Sequence, residues 1–157
     1  MRPRFATHFA EAAEKVKRRW KYKRDKGGDY WTWGKRVKRL RGVLRYFYVG
    51  DCEDYCFRLI WVVEGRKKKA IKALKDGKYR IWWAATGRDG GRINHAVVEC
   101  VKTGEYAEVI FGEAVRTPNT GKPPPKGLGT IRLRKKMSGI EALIRLREIE
   151  SPYYSDR

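Results

Sequence analysis

Residues 79–115, YRIWWAATGRDGGRINHAVVECVKTGEYAEVIFGEAV, contain the clearest pattern of strands and turns in the sequence. The three apolar segments of this stretch are rich in β-branched and aromatic residues, which favour β-strands. Two short glycine-containing segments, residues 87–92 and 103–105, separate them, and such segments form the tight turns of β-hairpins. The stretch therefore predicts an antiparallel meander of three strands.

The sequence before the meander predicts two more strands and a helix. Residues 43–49 (VLRYFYV) and 57–63 (FRLIWVV) combine β-branched and aromatic residues, and an acidic turn at residues 50–56 joins them. Residues 65–77 have the composition of a helix, with Gly77 as its C-cap. We therefore expect the helix to lie between a pair of strands and the meander.

The N-terminal third predicts two helices. Apolar residues recur at helical spacing from residue 4 to about residue 22. A second helix, short, amphipathic and strongly basic, is predicted from a stripe of four apolar side chains. This stripe consists of Trp33, Val37, Leu40 and Leu44.

The C-terminal part predicts a loop, a strand and a helix. Residues 117–129 are rich in proline and glycine and cannot form a helix or a central strand. Residues 130–136 predict an edge strand. Residues 138–150 predict a final helix, which opens with a capping box of Ser138 and Glu141.

These elements predict an α+β fold, with a largely antiparallel sheet of about five to six strands, helices at the N- and C-terminal ends and one helix between strands. A chain of 157 residues is long enough to form one domain without disulfides or metals. We expect a single domain, residues 1–157, in four parts. The parts are a basic helical N-terminal part (1–48), a sheet part with one helix (43–116), a Pro/Gly loop (117–129), and an edge strand plus C-terminal helix (130–150).

The charge of the chain points to a polyanionic partner. The formal net charge is +20, from 38 Lys and Arg against 18 Asp and Glu. Residues 1–48 hold 16 of these cations and 4 of the acids. A charge of this size repels itself unless a polyanion neutralises it, so nucleic acid is the expected partner and a membrane is not.

The aromatic residues overlap the most basic segment. Of 20 aromatic residues, 13 lie in the first 61 positions. Bases stack on exposed rings while Lys and Arg neutralise phosphates. Trp20 and Trp33 complete apolar stripes and are expected in the core, whereas Tyr30 and Trp31 lie off the stripe and are expected to stack on bases. Tyr46 and Tyr48 share one face of a predicted strand and predict an aromatic platform, or alternatively pack under a helix.

Two loop tips carry paired cations, Arg88 with Arg92 and Lys122 with Lys126, and such tips can contact a nucleic-acid backbone. Together with the basic segment they complete the predicted interface. The predicted nucleic-acid-binding residues are Arg18, Arg19, Lys21, Lys23, Tyr30, Trp31, Lys35, Arg36, Lys38, Arg39, Tyr46, Tyr48, Arg88, Arg92, Lys122 and Lys126.

A nuclease is the alternative from another functional class. The segment from Asp89 to Lys102 loosely resembles the carboxylate and lysine core of restriction-endonuclease-like nucleases. The resemblance implies that Asp89, Glu99 and Lys102 bind metal and activate water. Its spacing departs from the pattern, because Glu99 and Lys102 are three residues apart and face opposite sides of a strand. We therefore predict no catalytic residues and lean towards a protein that is not an enzyme.

The sequence does not predict a zinc site. Cys52, Cys56, His95 and Cys100 are four possible ligands. On a strand, however, His95 and Cys100 face opposite sides. Free buried thiols or a disulfide between Cys52 and Cys56 are the preferred alternatives, and no metal or cofactor is expected.

The sequence thus predicts a non-enzymatic protein that binds single-stranded DNA or RNA, or structured RNA, with weak sequence specificity. A ribosomal, ribonucleoprotein or virion structural component is a further alternative. The apolar runs are too short for a membrane span and no signal peptide is visible, so we expect a cytoplasmic protein, intracellular or viral, and not secreted. Glutamine is absent and 36% of the residues are charged, which is typical of a thermophilic source.

Overall fold

The computed structural model describes residues 7–24, 31–38, 46–86, 92–116 and 131–149. These residues form four helices and seven strands in two sheets, which confirms the predicted α+β class. The helices are His8–Arg18 (α1), Cys52–Glu64 (α2), Lys67–Lys75 (α3) and Gly139–Arg145 (α4). The strands are Trp20–Tyr22 (β1), Lys35–Lys38 (β2), Tyr46–Gly50 (β3), Tyr79–Ala85 (β4), His95–Cys100 (β5), Glu105–Ala107 (β6) and Arg132–Met137 (β7).

The larger sheet contains the predicted meander. Its order is β6-β5-β4-β7, and every neighbouring pair is antiparallel. β7 lies at the edge, as predicted. The third strand of the meander is shorter than expected, because the chain turns at Glu108, whose carboxylate accepts hydrogen bonds from the backbone N–H groups of Ile110 and Phe111. Val115 returns to pair with Tyr106 in an isolated bridge.

The small sheet, which consists of β1, β2 and β3, was only partly predicted. β3 is central, β1 runs parallel to it and β2 runs antiparallel. The first helix ends at Arg18 rather than near residue 22, and residues 20–22 form β1. The predicted basic helix is wrong over its described part, because Lys35–Lys38 is a strand. Gly34 precedes it with a φ of +74°, a left-handed conformation that breaks a helix.

The largest error of sequence interpretation concerns α2. Its residues were predicted as an acidic turn followed by a strand, but they form one helix of 13 residues. Asp51 is the N-cap, and its carboxylate accepts from the N–H of Asp54 while the Asp54 carboxylate accepts from the N–H of Asp51. This reciprocal capping box satisfies two backbone donors that a helix start leaves open. Gly65, with a φ of +89°, closes the helix.

The helix α2 forms the centre of the core. Its residues Tyr55, Phe57, Leu59 and Ile60 are fully buried. The surrounding cluster takes side chains from the other three helices and from both sheets. None of the helices in the described part of the chain has the length and apolarity needed to cross a membrane.

α3 agrees with its prediction, whereas α4 begins where predicted but ends at Arg145 rather than near residue 150. α3 ends at Lys75, and Gly77 follows the C-cap with a φ of +75°. Ser138 is the N-cap of α4 and accepts a hydrogen bond from the N–H of Glu141 at 3.2 Å. The Pro/Gly stretch predicted as a loop, residues 117–129, lies outside the described residues.

Candidate nucleic-acid interface

The register of the small sheet gives it two distinct faces. Trp20 of β1, Tyr48 of β3 and Arg36 of β2 are register partners, so their side chains project to one side. We call this side the inner face, because the ring of Trp20 contacts Tyr55 of α2 with centroids 5.4 Å apart. The outer face carries the next row, which consists of Lys21, Val49 and Lys35.

The outer face combines cations with apolar side chains. Lys21 and Lys35 are exposed, and the Lys21 ammonium lies 4.7 Å from the ring centroid of Phe47. Phe47, Val37 and Val49 are half-buried. An ammonium over a ring face is held by the electron-rich π system, so this arrangement orders a lysine that would otherwise be mobile.

The inner face orders two arginines through Tyr46. The guanidinium of Arg36 lies 4.3 Å from the ring centroid of Tyr46, and that of Arg19 lies 4.8 Å from the same centroid. Tyr46 is half-buried and contacts Tyr48 edge-on. The two tyrosines share a face, as predicted, but Tyr48 is only 6% exposed and is no open platform for bases. Its ring is covered by Arg58 of α2, 4.9 Å away.

The small sheet and its flanking residues carry cations without carboxylates. Residues 18–24, 35–38 and 46–50 contain eight Lys or Arg and no Asp or Glu. Among the described residues, no carboxylate forms a salt bridge with any of the eight. All are exposed except Arg19, which is half-buried. The predicted cationic contacts in these ranges are thus brought together on one small sheet.

Trp31 does not occupy the position predicted for it. The ring is only 7% exposed and packs against Phe57 of α2 and Trp83 of β4, with centroids 5.6 and 5.1 Å away. The guanidinium of Arg145 lies 5.6 Å from the ring centroid. The prediction that Trp31 offers an exposed stacking surface is therefore wrong. The segment passes between α2 and the larger sheet, which buries the ring.

Of the two tryptophans expected in the core, Trp33 is placed as predicted, whereas Trp20 is only partly buried and packs against the core. Trp33 is buried, and its indole N–H donates to the carboxylate of Glu148 at 2.9 Å. Trp20 is half-buried, and its indole N–H donates to the carbonyl of Gly50 at 3.1 Å. Both rings fix the small sheet to the rest of the molecule.

The remaining predicted contact residues are not part of the described small sheet. Arg92 is exposed and lies just before β5 of the larger sheet. Five others lie outside the described residues. They are Tyr30, Arg39, Arg88, Lys122 and Lys126.

The residues of the nuclease alternative are not assembled. Glu99 is buried, and its carboxylate accepts from the indole N–H of Trp82 at 2.8 Å, with the Arg80 guanidinium 3.9 Å away. Lys102 lies beyond the end of β5, exposed in the following turn. Asp89 lies outside the described residues. Glu99 thus has structural partners that account for its burial.

The four residues weighed as zinc ligands have other environments. Cys52, Cys56 and Cys100 are free and buried, and burial raises the pKa of the Cys52 and Cys56 thiols. His95 is buried and hydrogen-bonds Glu108. Within the described ranges, no group of three or more His, Cys, Asp or Glu side chains is placed to hold a metal ion.

Two exposed aromatic side chains were not among the predicted contact residues. Tyr22 of β1 is 59% exposed, and Phe111, in the turn after Glu108, is 50% exposed. Partial burial, together with the nearby Cys52, Asp51 and Glu53, raises the pKa of Tyr22 to about 12, so its ring is neutral. The exposure of Tyr22 could have been predicted from positions 20–23, WKYK. This alternation of aromatic and basic residues is typical of an exposed edge strand.

A cleft of about 580 Å³ lies beside β1. Lys17, Arg24, Trp20 and Tyr22 contribute to one part of its lining. The remainder comes from the larger sheet and its turns. Those residues are Thr86, Asn94, His95, Val109 and Ile110.

Comparison with protein-family models, with curated proteins and with solved structures found no match to this chain. Its function is therefore argued from the geometry of the small sheet and the cleft.

Proposed function

We propose that the protein binds single-stranded nucleic acid without catalysis, through the small sheet. The observation that carries this proposal is the set of eight Lys and Arg, without a described carboxylate partner, on and beside three short strands. Three neighbouring strands are only about 10 Å across, so Lys21 and Lys35, which lie on opposite edges of the outer face, are within reach of one bound backbone. Cations without internal partners are available to neutralise phosphates.

The exposed ring of Tyr22 favours a single strand over a duplex. Tyr22 is the last residue of the edge strand β1, and Lys21 and Lys23 flank it in sequence. A base can stack on this ring only when its face is free, and the faces of paired bases are covered by their neighbours. The proposed contacts are made with phosphates and with the faces of the bases. None is made with the base edges that distinguish one sequence from another, so the sequence preference is expected to be weak. The same contacts would also suit a component of a ribonucleoprotein or a virion. For the nuclease alternative, no described contact of Glu99 provides support.

The first test removes four lysines from the small sheet and its flank. Lys21, Lys23, Lys35 and Lys38 are all exposed. Replacing all four with Gln is expected to flatten the dependence of log affinity on log salt concentration by up to about 3, since each phosphate contact on a single strand contributes about 0.7. Fluorescence anisotropy with a labelled oligonucleotide, measured over a series of salt concentrations, gives this slope.

A variant with the same change of charge provides the control. Lys68, Lys69, Lys75 and Lys78 are exposed lysines on or beside α3, and none forms a described salt bridge. Replacing these four with Gln is expected to leave the slope nearly unchanged. If both quadruple variants flatten the slope equally, the net charge of the molecule attracts the strand and the small sheet is not the site.

The second test concerns stacking by Tyr22. Replacing Tyr22 with Ala is expected to weaken single-strand binding by about 1 to 3 kcal/mol and to leave the salt slope intact, because stacking and counterion release are separate contributions. The ring is exposed, so the free energy of unfolding should change little. Phe111→Ala, which removes an exposed ring outside the small sheet, is the control. Single-strand affinity equal to that of the parent would show that the protein contacts only phosphates.

A further inference from the structure

The cleft beside β1 has the composition of a binding site for a small anion with an apolar portion. Its volume of about 580 Å³ lies within the range of pockets that hold small molecules. It is lined by two cations, two aromatic rings and a buried histidine, and among the described residues no Asp or Glu lines it. We infer that the cleft binds a phosphate group carried by a nucleoside, either a free nucleoside monophosphate or the phosphorylated end of a strand.

Lys17 is a fixed part of the cleft and not a mobile surface lysine. It is half-buried, and its aliphatic carbons lie directly against Gly112. A Cβ at Gly112 would collide with the Cβ and Cγ of Lys17, and the φ of Gly112 is +65°. Only glycine therefore lets the turn approach the lysine so closely. An ordered cation loses less side-chain entropy when it binds an anion.

Arg24 supplies the second cation, next to the end of β1. It is exposed, and the part of the chain that the structure describes provides no carboxylate partner for it or for Lys17. Asp51 and Glu53 act on the Tyr22 hydroxyl, where they help to raise its pKa. They do not line the cleft. Two cations without internal partners around one cleft are suited to a phosphate.

His95 is held at the cleft by a buried carboxylate. Its Nε2 lies 2.7 Å from Oε1 of Glu108, which is fully buried. Glu108 also accepts from the backbone N–H groups of Ile110 and Phe111 at 2.9 and 2.7 Å. An ionised carboxylate oxygen can only accept, so this contact requires the His95 tautomer that carries its proton on Nε2. The Glu108 carboxylate is therefore occupied by hydrogen bonds inside the protein and does not line the cleft.

The apolar lining indicates a nucleoside rather than phosphate alone. Trp20, Tyr22, Val109 and Ile110 offer rings and aliphatic carbons to a base or sugar. A bare phosphate would leave these surfaces unused, whereas a nucleoside phosphate uses both kinds of contact. For the phosphorylated end of a strand, the inference rests on the proposed function. For a free mononucleotide it stands independently.

The test is a calorimetric titration of the full chain with adenosine 5′-monophosphate, adenosine and inorganic phosphate. We expect the monophosphate to bind at least ten times more tightly than either of the other two. Lys17→Met keeps the aliphatic carbons that pack against Gly112 and removes the ammonium. It should weaken binding of the monophosphate about ten- to a hundredfold, the usual range for a lost hydrogen bond to a charged group. Equal binding of monophosphate and adenosine, or no effect of Lys17→Met, would overturn the inference.

Two further arms separate the sources of the phosphate. A thymidine oligomer with a 5′-phosphate should compete with the monophosphate better than the same oligomer with a 5′-hydroxyl if strand ends are bound, and equally if only free nucleotides are bound. The quadruple Gln variant of the small sheet should keep its affinity for the monophosphate. Strand binding without monophosphate binding would overturn this inference and leave the proposed function standing. Monophosphate binding by a chain that binds no strand would support the inference and overturn the proposed function.

Discussion

Replacing Trp31 with Ala is expected to lower the free energy of unfolding by about 3 to 5 kcal/mol, the usual cost of removing a large ring from a core. The ring is buried and contacts Phe57 and Trp83. Its loss therefore removes apolar contact from both α2 and the larger sheet, and it leaves a cavity between them. Urea denaturation followed by circular dichroism should show a lower midpoint with an unchanged slope.

The same variant decides between the two interpretations of Trp31. If the ring were an exposed stacking surface, Trp31→Ala would keep the stability of the parent and lose about 1 to 3 kcal/mol of single-strand affinity. Because the ring is buried, the structure predicts instead a large loss of stability in Trp31→Ala. Tyr22→Ala, which truncates an exposed ring, is the matched control for stability. Parental stability combined with weaker strand binding in Trp31→Ala would contradict the burial seen here.

The elements that the sequence predicted correctly are those specified by a few neighbouring residues. β4 and β5 are runs of six or seven residues that contain adjacent aromatic or β-branched side chains, and a glycine turn separates β5 from β6. α4 begins directly after Ser138, an N-cap that is visible in the sequence. In each case the residues that specify the element also form it, so no knowledge of distant partners was needed.

The helix α2 could not be recognised because its burial removes the usual periodicity. Cys52 and the residues from Asp54 to Ile60 are all buried. A helix surrounded by other elements on most sides has no polar face, and a short apolar run then looks like a strand. The N-terminus of α2 was also difficult to recognise, because its capping box uses Asp51 and Asp54 in place of the usual Ser or Thr with Glu or Gln.

The small sheet depends on pairings that are distant in sequence. β1 pairs in parallel with β3, and Trp20 is opposite Tyr48. A parallel pair and a three-residue strand leave little local pattern, and the apolar stripe that includes Trp33 and Val37 also fits a helix. The concentration of cations was visible in the sequence regardless. What it did not show was which rings are covered, since the burial of Trp31 comes from α2 and β4.

Arg58 joins α2 to the small sheet and is expected to be as important for stability as the tryptophans. Its Nε donates to the carbonyl of Trp33 at 2.7 Å and its Nη2 donates to the carbonyl of Gly34 at 2.8 Å. The guanidinium also lies 4.1 Å from the ring centroid of Trp61 and 4.9 Å from that of Tyr48. Burial lowers the pKa of Arg58, and the charge is held by carbonyl oxygens and ring faces, without a described carboxylate.

Arg58→Met should therefore lower the free energy of unfolding by about 2 to 6 kcal/mol, because two carbonyl groups lose their donors at about 1 to 3 kcal/mol each. Arg58→Lys should recover only part of this loss, since an ammonium lacks the planar fork that reaches both carbonyls while stacking on the rings. The same Arg-to-Met change at exposed Arg36, which stacks on Tyr46, is the control and should cost about 0.5 to 1 kcal/mol. β2 begins directly after Gly34, so the loss of Arg58 also releases the start of the strand that carries Lys35. Equal denaturation midpoints for Arg58→Met and Arg36→Met would show that Arg58 does not hold the small sheet on α2.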